Sequence, residues 1–295
     1  MEAKTPLKPR SNTDKLADNE KRTKGGIAYG HRVGERKERG KGIVGRKGGF
    51  LNISSRPASS CECTNTQCKL WSRVCARTRR PQYILHRLAR FGSPDSKLAI
   101  ILISDVFGYE APNLRKLADK VADPGFLVVV PDFFYGDPYD MQKNHPDWRD
   151  AHGMDKGVED AKPVISALKS KGVSAIGAAG FCWGGKVVGE LAKSDELDAA
   201  ALLHPSRVTV DDIREVKPPI AILGAEIDRA SPPELLKEFE EVLSSKPEVS
   251  FFVKIYPGVE HGWTVRYDIA DELAVKSAEE AHEDMLNWFI KHLMV

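Results

Sequence analysis

The stretch Gly180-Phe181-Cys182-Trp183-Gly184-Gly185 decides how this chain is read. An apolar run, Ala175–Phe181, leads into it with strand composition, and Gly185–Lys193 leaves it with helical spacing. Glycines two places before and two places after a nucleophilic side chain, at a strand-to-helix turn, form the pattern of a nucleophile elbow, here with Cys in the place of Ser. Such a turn holds its central residue in a strained backbone conformation, and the glycines keep neighbouring chains from clashing. The side chain then stands at a helix N-terminus, where the dipole favours a thiolate and the Trp183 N–H can face an oxyanion. Two other readings fit the same residues. One is a phosphate cradle, which lacks the G-x-G-x-x-G spacing and the Walker Lys-Ser/Thr pair. The other is a buried structural cysteine.

Working outward, short apolar runs alternate with amphipathic stretches. Leu98–Ser104, Phe126–Pro131, Ala199–His204, Pro219–Gly224 and Ser250–Tyr256 read as further strands, most of them apolar on both faces. Asn113–Ala122, Lys156–Ser170, Pro233–Leu243 and Asp271–Leu293 read as helices. Pro163 is expected to kink or restart the second of these. The alternation predicts an α/β fold, a doubly wound and mostly parallel sheet of the α/β-hydrolase type, spanning residues 92–295.

In that architecture a nucleophile is followed along the chain by an acid and then a histidine, each at the carboxyl end of a strand. Asp228 comes 46 residues after Cys182, in the loop Gly224-Ala225-Glu226-Ile227-Asp228, and His261 follows 33 residues later in Glu260-His261-Gly262-Trp263. A base must take the thiol proton, and an acid must hold the ring and tautomer of that base. Each residue has an ordinary alternative. A turn Asp commonly binds local backbone N–H groups, Glu226 and Glu260 are neighbouring carboxylates, and His204 also ends a strand. His204 precedes the acid, so chain order makes it a pocket residue. The loop after the first core strand, Ser104-Asp105-Val106-Phe107-Gly108, should supply the second oxyanion donor, with Asp105 either facing the nucleophile or capping the helix near Pro112.

The first 90 residues differ in kind. They hold 22 Lys and Arg against 7 Asp and Glu, whereas the rest of the 295-residue chain holds 22 against 35. Residues 1–91 therefore read as a basic, disordered leader. Its positive charge attracts nucleic acid nonspecifically; six acidic residues among the first 60 argue against a transit peptide. Cys61, Cys63, Cys68 and Cys75 lack the paired knuckles of a zinc site, so no metal is expected. Tyr83–Ala89 is apolar enough to pack on a domain edge, yet no edge strand is readable in residues 61–91. No run approaches the ~20 apolar residues of a membrane span. Five cysteines without a secretory segment point to the reducing cytoplasm. Nothing in the chain specifies an oligomeric state.

The blocks Asp105-Val106-Phe107-Gly108, Val130-Pro131-Asp132-Phe133-Phe134, Gly180 to Gly185, Gly224 to Asp228 and His261-Gly262-Trp263 together resemble the dienelactone hydrolase family, its plant members in particular. The resemblance implies a triad of Cys182, His261 and Asp228, and an oxyanion hole from the backbone N–H groups of Val106 and Trp183. It gives Asp105 the place of a nucleophile-gating Glu, one methylene longer in the bacterial members. Those members bind a substrate carboxylate through an Arg and a Ser where this chain has Gly136 and Gly262, which leaves Arg266 as the available substitute. The expectation is a cofactor-independent hydrolase of a small ester or lactone, with Tyr135, Trp148, His204 and Trp263 as pocket walls. Some plant relatives carry a glucanase name, and a non-catalytic protein binding acidic partners through the leader is the remaining alternative.

Overall fold

The computed structural model describes residues 84–143 and 146–294. The leader and its four cysteines lie outside the described residues, apart from its last few positions.

Seven strands form one sheet in the order β1-β3-β2-β4-β5-β6-β7. They are β1 Leu88–Phe91, β2 Leu98–Ile103, β3 Leu127–Pro131, β4 Ala175–Phe181, β5 Ala199–Leu203, β6 Ile220–Ile227 and β7 Phe251–Glu260. All neighbours are parallel except β1 and β3, which run antiparallel. The helices are α1 Pro112–Ala122, α2 Trp148–Ala151, α3 Met154–Ser170, α4 Trp183–Leu191, α5 Val210–Arg214, α6 Pro233–Ser244 and α7 Glu272–Leu293.

Strand alternation splits the core into two layers. Ile101, Ile103, Val129, Ile176, Leu202 and Ile222 face α3, α4 and α6 on one side. Ile100, Leu102, Val128, Phe181, Leu203 and Leu223 face α1 and α7 on the other. Strands covered on both faces lose the polar–apolar alternation, which is why they read as continuous apolar runs. The doubly wound, mostly parallel sheet expected from the sequence is therefore the sheet observed.

Three departures matter. β1 lies within the stretch assigned to the leader: Leu88, Ala89, Arg90 and Phe91 pair with Pro131, Val130, Val129 and Val128, and Ile84 just before it is fully buried. The folded unit therefore begins before residue 92. A four-residue edge strand containing an Arg carries too little pattern to be read in advance. Second, α3 runs through Pro163 without a break, because Ala161, Val164, Ile165 and Leu168 are buried along it and packing outweighs one missing hydrogen bond. Third, β6 and β7 run several residues past their expected ends to a bulge where Ile227 pairs with Glu260. Pro257 is tolerated there because β7 is an edge strand.

The order of strands reverses between β2 and β4: β3 lies on one side of β2, and β4 on the other. The carboxyl ends of these two strands flank a crevice of the kind in which open α/β sheets bind ligands.

Candidate active site

The crevice is made by the loops that leave β2 and β4. Cys182 sits at the end of β4 with φ 51° and ψ −105°, a conformation costly for a residue with a Cβ. Its glycines are sterically required. A Cβ on Gly180 would lie 2.1 Å from the Gly184 carbonyl oxygen, and one on Gly184 would lie 2.1 Å from that of Ile103. The sharp turn brings β4, β2 and the start of α4 too close for any side chain. The elbow geometry read from the sequence is thus present, and its Cys182 N–H is held by the Leu203 carbonyl at 3.1 Å.

The extension of β6 and β7 sets the next two groups. Because Ile227 pairs with Glu260, the residues that follow, Asp228 and His261, emerge side by side, and the His261 N–H donates to the Ile227 carbonyl at 3.2 Å. The Asp228 carboxylate is buried and divides its oxygens. Oδ1 accepts from the backbone N–H groups of Ala230 (2.7 Å) and Ser231 (3.2 Å), while Oδ2 lies 2.7 Å from His261 Nδ1. One oxygen of this Asp thus serves the local turn and the other meets the imidazole. Glu226 accepts from the Gly258 N–H on the surface and Glu260 stays exposed, so Asp228 is the carboxylate on the imidazole.

Cys182 is the other group that acts on the His261 ring. Burial opposes a charged ring, but the hydrogen bonds and charges of Asp228 and Cys182 outweigh it and raise the His261 pKa to about 9. Arg266 lines the same cavity as Cys182. Its Nε donates to Asp105 Oδ2 at 2.6 Å and its guanidinium stacks 4.9 Å over the Phe107 ring. Gly262 makes room for it: with φ +95°, a Cβ there would sit 2.6 Å from Arg266 Cδ.

Asp105 therefore spends its carboxylate on Arg266 and on the Phe107 N–H, at 3.0 Å. It does not cap α1, whose N-cap is Ala111. Val106 and Trp183 flank Cys182, and neither backbone N–H has an acceptor among the described residues; Trp183 opens α4 and so lacks an intrahelical partner. Val106, Trp183 and Cys182 thus line one cavity.

A cavity of about 260 Å³ lies over Cys182. Of the four expected wall residues only Trp148 lines it. Tyr135 turns away to bond Asp160, His204 is buried behind His261, and Trp263 packs on His204 and Tyr256. These three are corrected to packing positions. The walls that were not foreseen are Tyr139, Arg149, His152, Met154, Ser206 and Arg207. Most come from residues 139–154, where Phe134, Trp148, His152 and Trp183 form an aromatic cluster and the Trp183 indole N–H donates to the His152 carbonyl at 3.0 Å. This segment is irregular, with one short helix, so no periodicity signals which side chains face inward. Arg207 gives no composition signal either, although its φ of 61° marks it in the structure. Among the described residues no helix is long and apolar enough to cross a membrane.

The family model of the dienelactone hydrolase family matches residues 88–293. A maize protein named Endo-1,3;1,4-beta-D-glucanase is 49% identical over 160 residues, a match covering 54% of this chain and 52% of that one, so about half the length of the relative is spanned. A Carboxymethylenebutenolidase homolog of Xenopus tropicalis is 32% identical over 220 residues, covering 71% of this chain and 89% of the other. Among solved structures, the monoacylglycerol lipase of Paleococcus ferrophilus superposes with a TM-score of 0.53 at 15% identity, over 70% of this chain and 98% of the lipase, a likeness of fold. The chain belongs to the dienelactone hydrolase family and is a hydrolase.

Proposed function

We propose that the chain hydrolyses a small ester or lactone through Cys182, His261 and Asp228. The observation that carries this reading is an imidazole held at 2.7 Å by a buried carboxylate, with an elbow cysteine as the other group that acts on the same ring. The thiolate attacks the carbonyl carbon, and the carbonyl electron pair moves onto oxygen, where the Val106 and Trp183 N–H groups receive it. Each such donor is worth about 3 kcal/mol to the transition state. Collapse breaks the carbon–oxygen bond, His261 gives its proton to the departing alkoxide, and a thioester is left on Cys182. Neutral His261 then takes a proton from water, the hydroxide adds to the thioester, and collapse frees the sulfur as thiolate and releases a carboxylic acid, which gives its proton to solvent. Asp228 keeps the ring in the tautomer that serves both steps.

Arg149, Arg207 and Arg266 line the cavity, and among the described residues no Asp or Glu does. Arg266 is paired with Asp105, whereas Arg149 and Arg207 have no ion pair among the described residues. This lining favours a substrate with a negative charge, with Arg266 standing in for the groups absent at Gly136 and Gly262. The volume, about 260 Å³, suits a small molecule.

The glucanase name of the maize relative supplies a second reading. Glycoside hydrolysis in its common form needs two carboxyls flanking the bond, roughly 5–9.5 Å apart, and the cavity lining offers none. Hydrolysis of p-nitrophenyl acetate by the parent and its loss in Cys182→Ala supports the esterase. Reducing-sugar release from mixed-linkage glucan that survives Cys182→Ala, with no esterase activity, overturns it.

A further inference from the structure

Behind His261, on the side away from the cavity, lies a histidine that the reaction above does not use. His204 follows β5, the strand between those that carry Cys182 and Asp228. It is fully buried, and its backbone is held at φ 38°, which a residue with a side chain adopts only when its surroundings impose it. Those surroundings are identifiable. The His204 N–H donates to the Leu223 carbonyl at 2.8 Å, while the carbonyl of the preceding Leu203 accepts from Cys182. The ring stands 5.1 Å from that of His261 at 67°, edge against face, and 5.3 Å from Trp263.

One ring nitrogen, Nε2, bonds the Thr264 hydroxyl at 2.7 Å, and the Thr264 carbonyl in turn accepts from His282 Nε2 on α7 at 2.7 Å. The other nitrogen, Nδ1, is buried with no partner. Leaving a buried nitrogen unpaired is costly, so an apolar residue would fill this space more stably unless the ring served a purpose. Charge matters too. The titratable or charged groups acting on the ring are His261 and Arg266 from the loop after β7 and His282 from α7, and burial together with these neighbours keeps His204 neutral. It can therefore press on an imidazolium without repelling it.

We infer that His204 is a positioning residue: its bond to Thr264 ties the loop 261–266 to the end of β5, and its ring edge fixes the rotamer in which His261 meets Asp228 and Cys182 together. The inference rests on the esterase reading, since it assigns His204 no purpose without a working His261.

Two variants of the full chain separate the contacts. His204→Gln keeps a donor near the place of Nε2 and loses the ring, while His204→Phe keeps a ring and loses the bond to Thr264. The imidazole resonances of His261, identified by their absence in His261→Gln, are followed against pH, alongside kcat and KM for p-nitrophenyl acetate and the unfolding temperature. In His204→Phe the His261 midpoint falls from about 9 by at least one pH unit and kcat falls at least tenfold with KM within twofold. His204→Gln restores at least half of the parental kcat. A parental His261 midpoint and kcat in His204→Phe, whatever its unfolding temperature, overturns the inference. The esterase reading fails by a different sign, hydrolysis that persists in Cys182→Ala, and the His261 titration reads the clamp in either case.

Discussion

Arg266 donates its Nε–H to Asp105 across 2.6 Å, and the carboxylate it meets is almost wholly buried. This pair joins the loop after β2 to the loop after β7, at a cavity that Arg266 and Cys182 both line. Removing the cation leaves a buried anion facing a site that uses negative sulfur. Arg266→Ala is expected to destabilise the fold by about 3 kcal/mol and to lower kcat/KM for p-nitrophenyl acetate. Asp105→Asn, which keeps a hydrogen-bond acceptor, should cost less on both counts. Urea unfolding and steady-state kinetics on the two variants test the order.

Gly262 is the steric condition for that pair. Gly262→Ala places a Cβ 2.6 Å from Arg266 Cδ in a left-handed backbone. The expected loss is about 1–3 kcal/mol, with kcat/KM reduced in parallel because Arg266 must move. An unchanged urea midpoint would show that the loop absorbs the methyl group.

The raised pKa of His261 sets a pH dependence with a definite sign. Its folded-state value of about 9 lies above the ordinary 6.5, so the stabilisation it represents is complete below about 6.5 and is lost as pH rises through 9. Asp228→Asn removes the main source of the upward shift. The stability gap between parent and Asp228→Asn should therefore narrow as the urea midpoint is measured at pH 6, 8 and 10. For the same reason kcat/KM of the parent is expected to decline through about pH 9, as the proton for the leaving alkoxide is lost. That decline should come at lower pH in the variant.

The cationic lining predicts charge selectivity. Arg149→Ala and Arg207→Ala should each raise KM for an ester bearing a carboxylate by about fivefold, since a partly exposed ion pair contributes up to about 1 kcal/mol, and leave KM for a neutral acetate unchanged. Equal effects on both esters would assign these arginines to packing.

Ile84 tests where the folded unit begins. It is fully buried although it precedes the first strand, so Ile84→Ala in the full chain should cost about 3 kcal/mol, read as a lowered urea midpoint. A surface-like loss below about 0.5 kcal/mol would detach this residue from the core.

The sequence made the centre of the fold readable and its margins unreadable. The strands between Leu98 and Leu203 are covered on both faces, so their composition alone marks them. The elbow was recognisable because Gly180 and Gly184 answer a steric demand that no other residue meets. By contrast, β1 is a short edge strand with an exposed Arg90, and the ends of β6 and β7 are half-exposed, so neither leaves an apolar run. Cys182, Asp228 and His261 were placed by their order along the chain. The cavity walls depend on irregular backbone between Tyr139 and Met154, where facing is decided by tertiary contacts such as Trp148 Nε1 on the Asp137 carbonyl. Tyr135 and Trp263 were nominated as aromatic residues near the motifs, and nearness along the chain did not determine their direction.

The groups around the sulfur are delivered by four strands, β2, β4, β6 and β7, the last of them ending at Glu260. A chain emerging from the ribosome carries Cys182 long before it carries His261. Until β7 has docked, Cys182 lacks His261 and Arg266, which follow that strand. The seventh strand of the sheet is thus the one that completes the surroundings of Cys182.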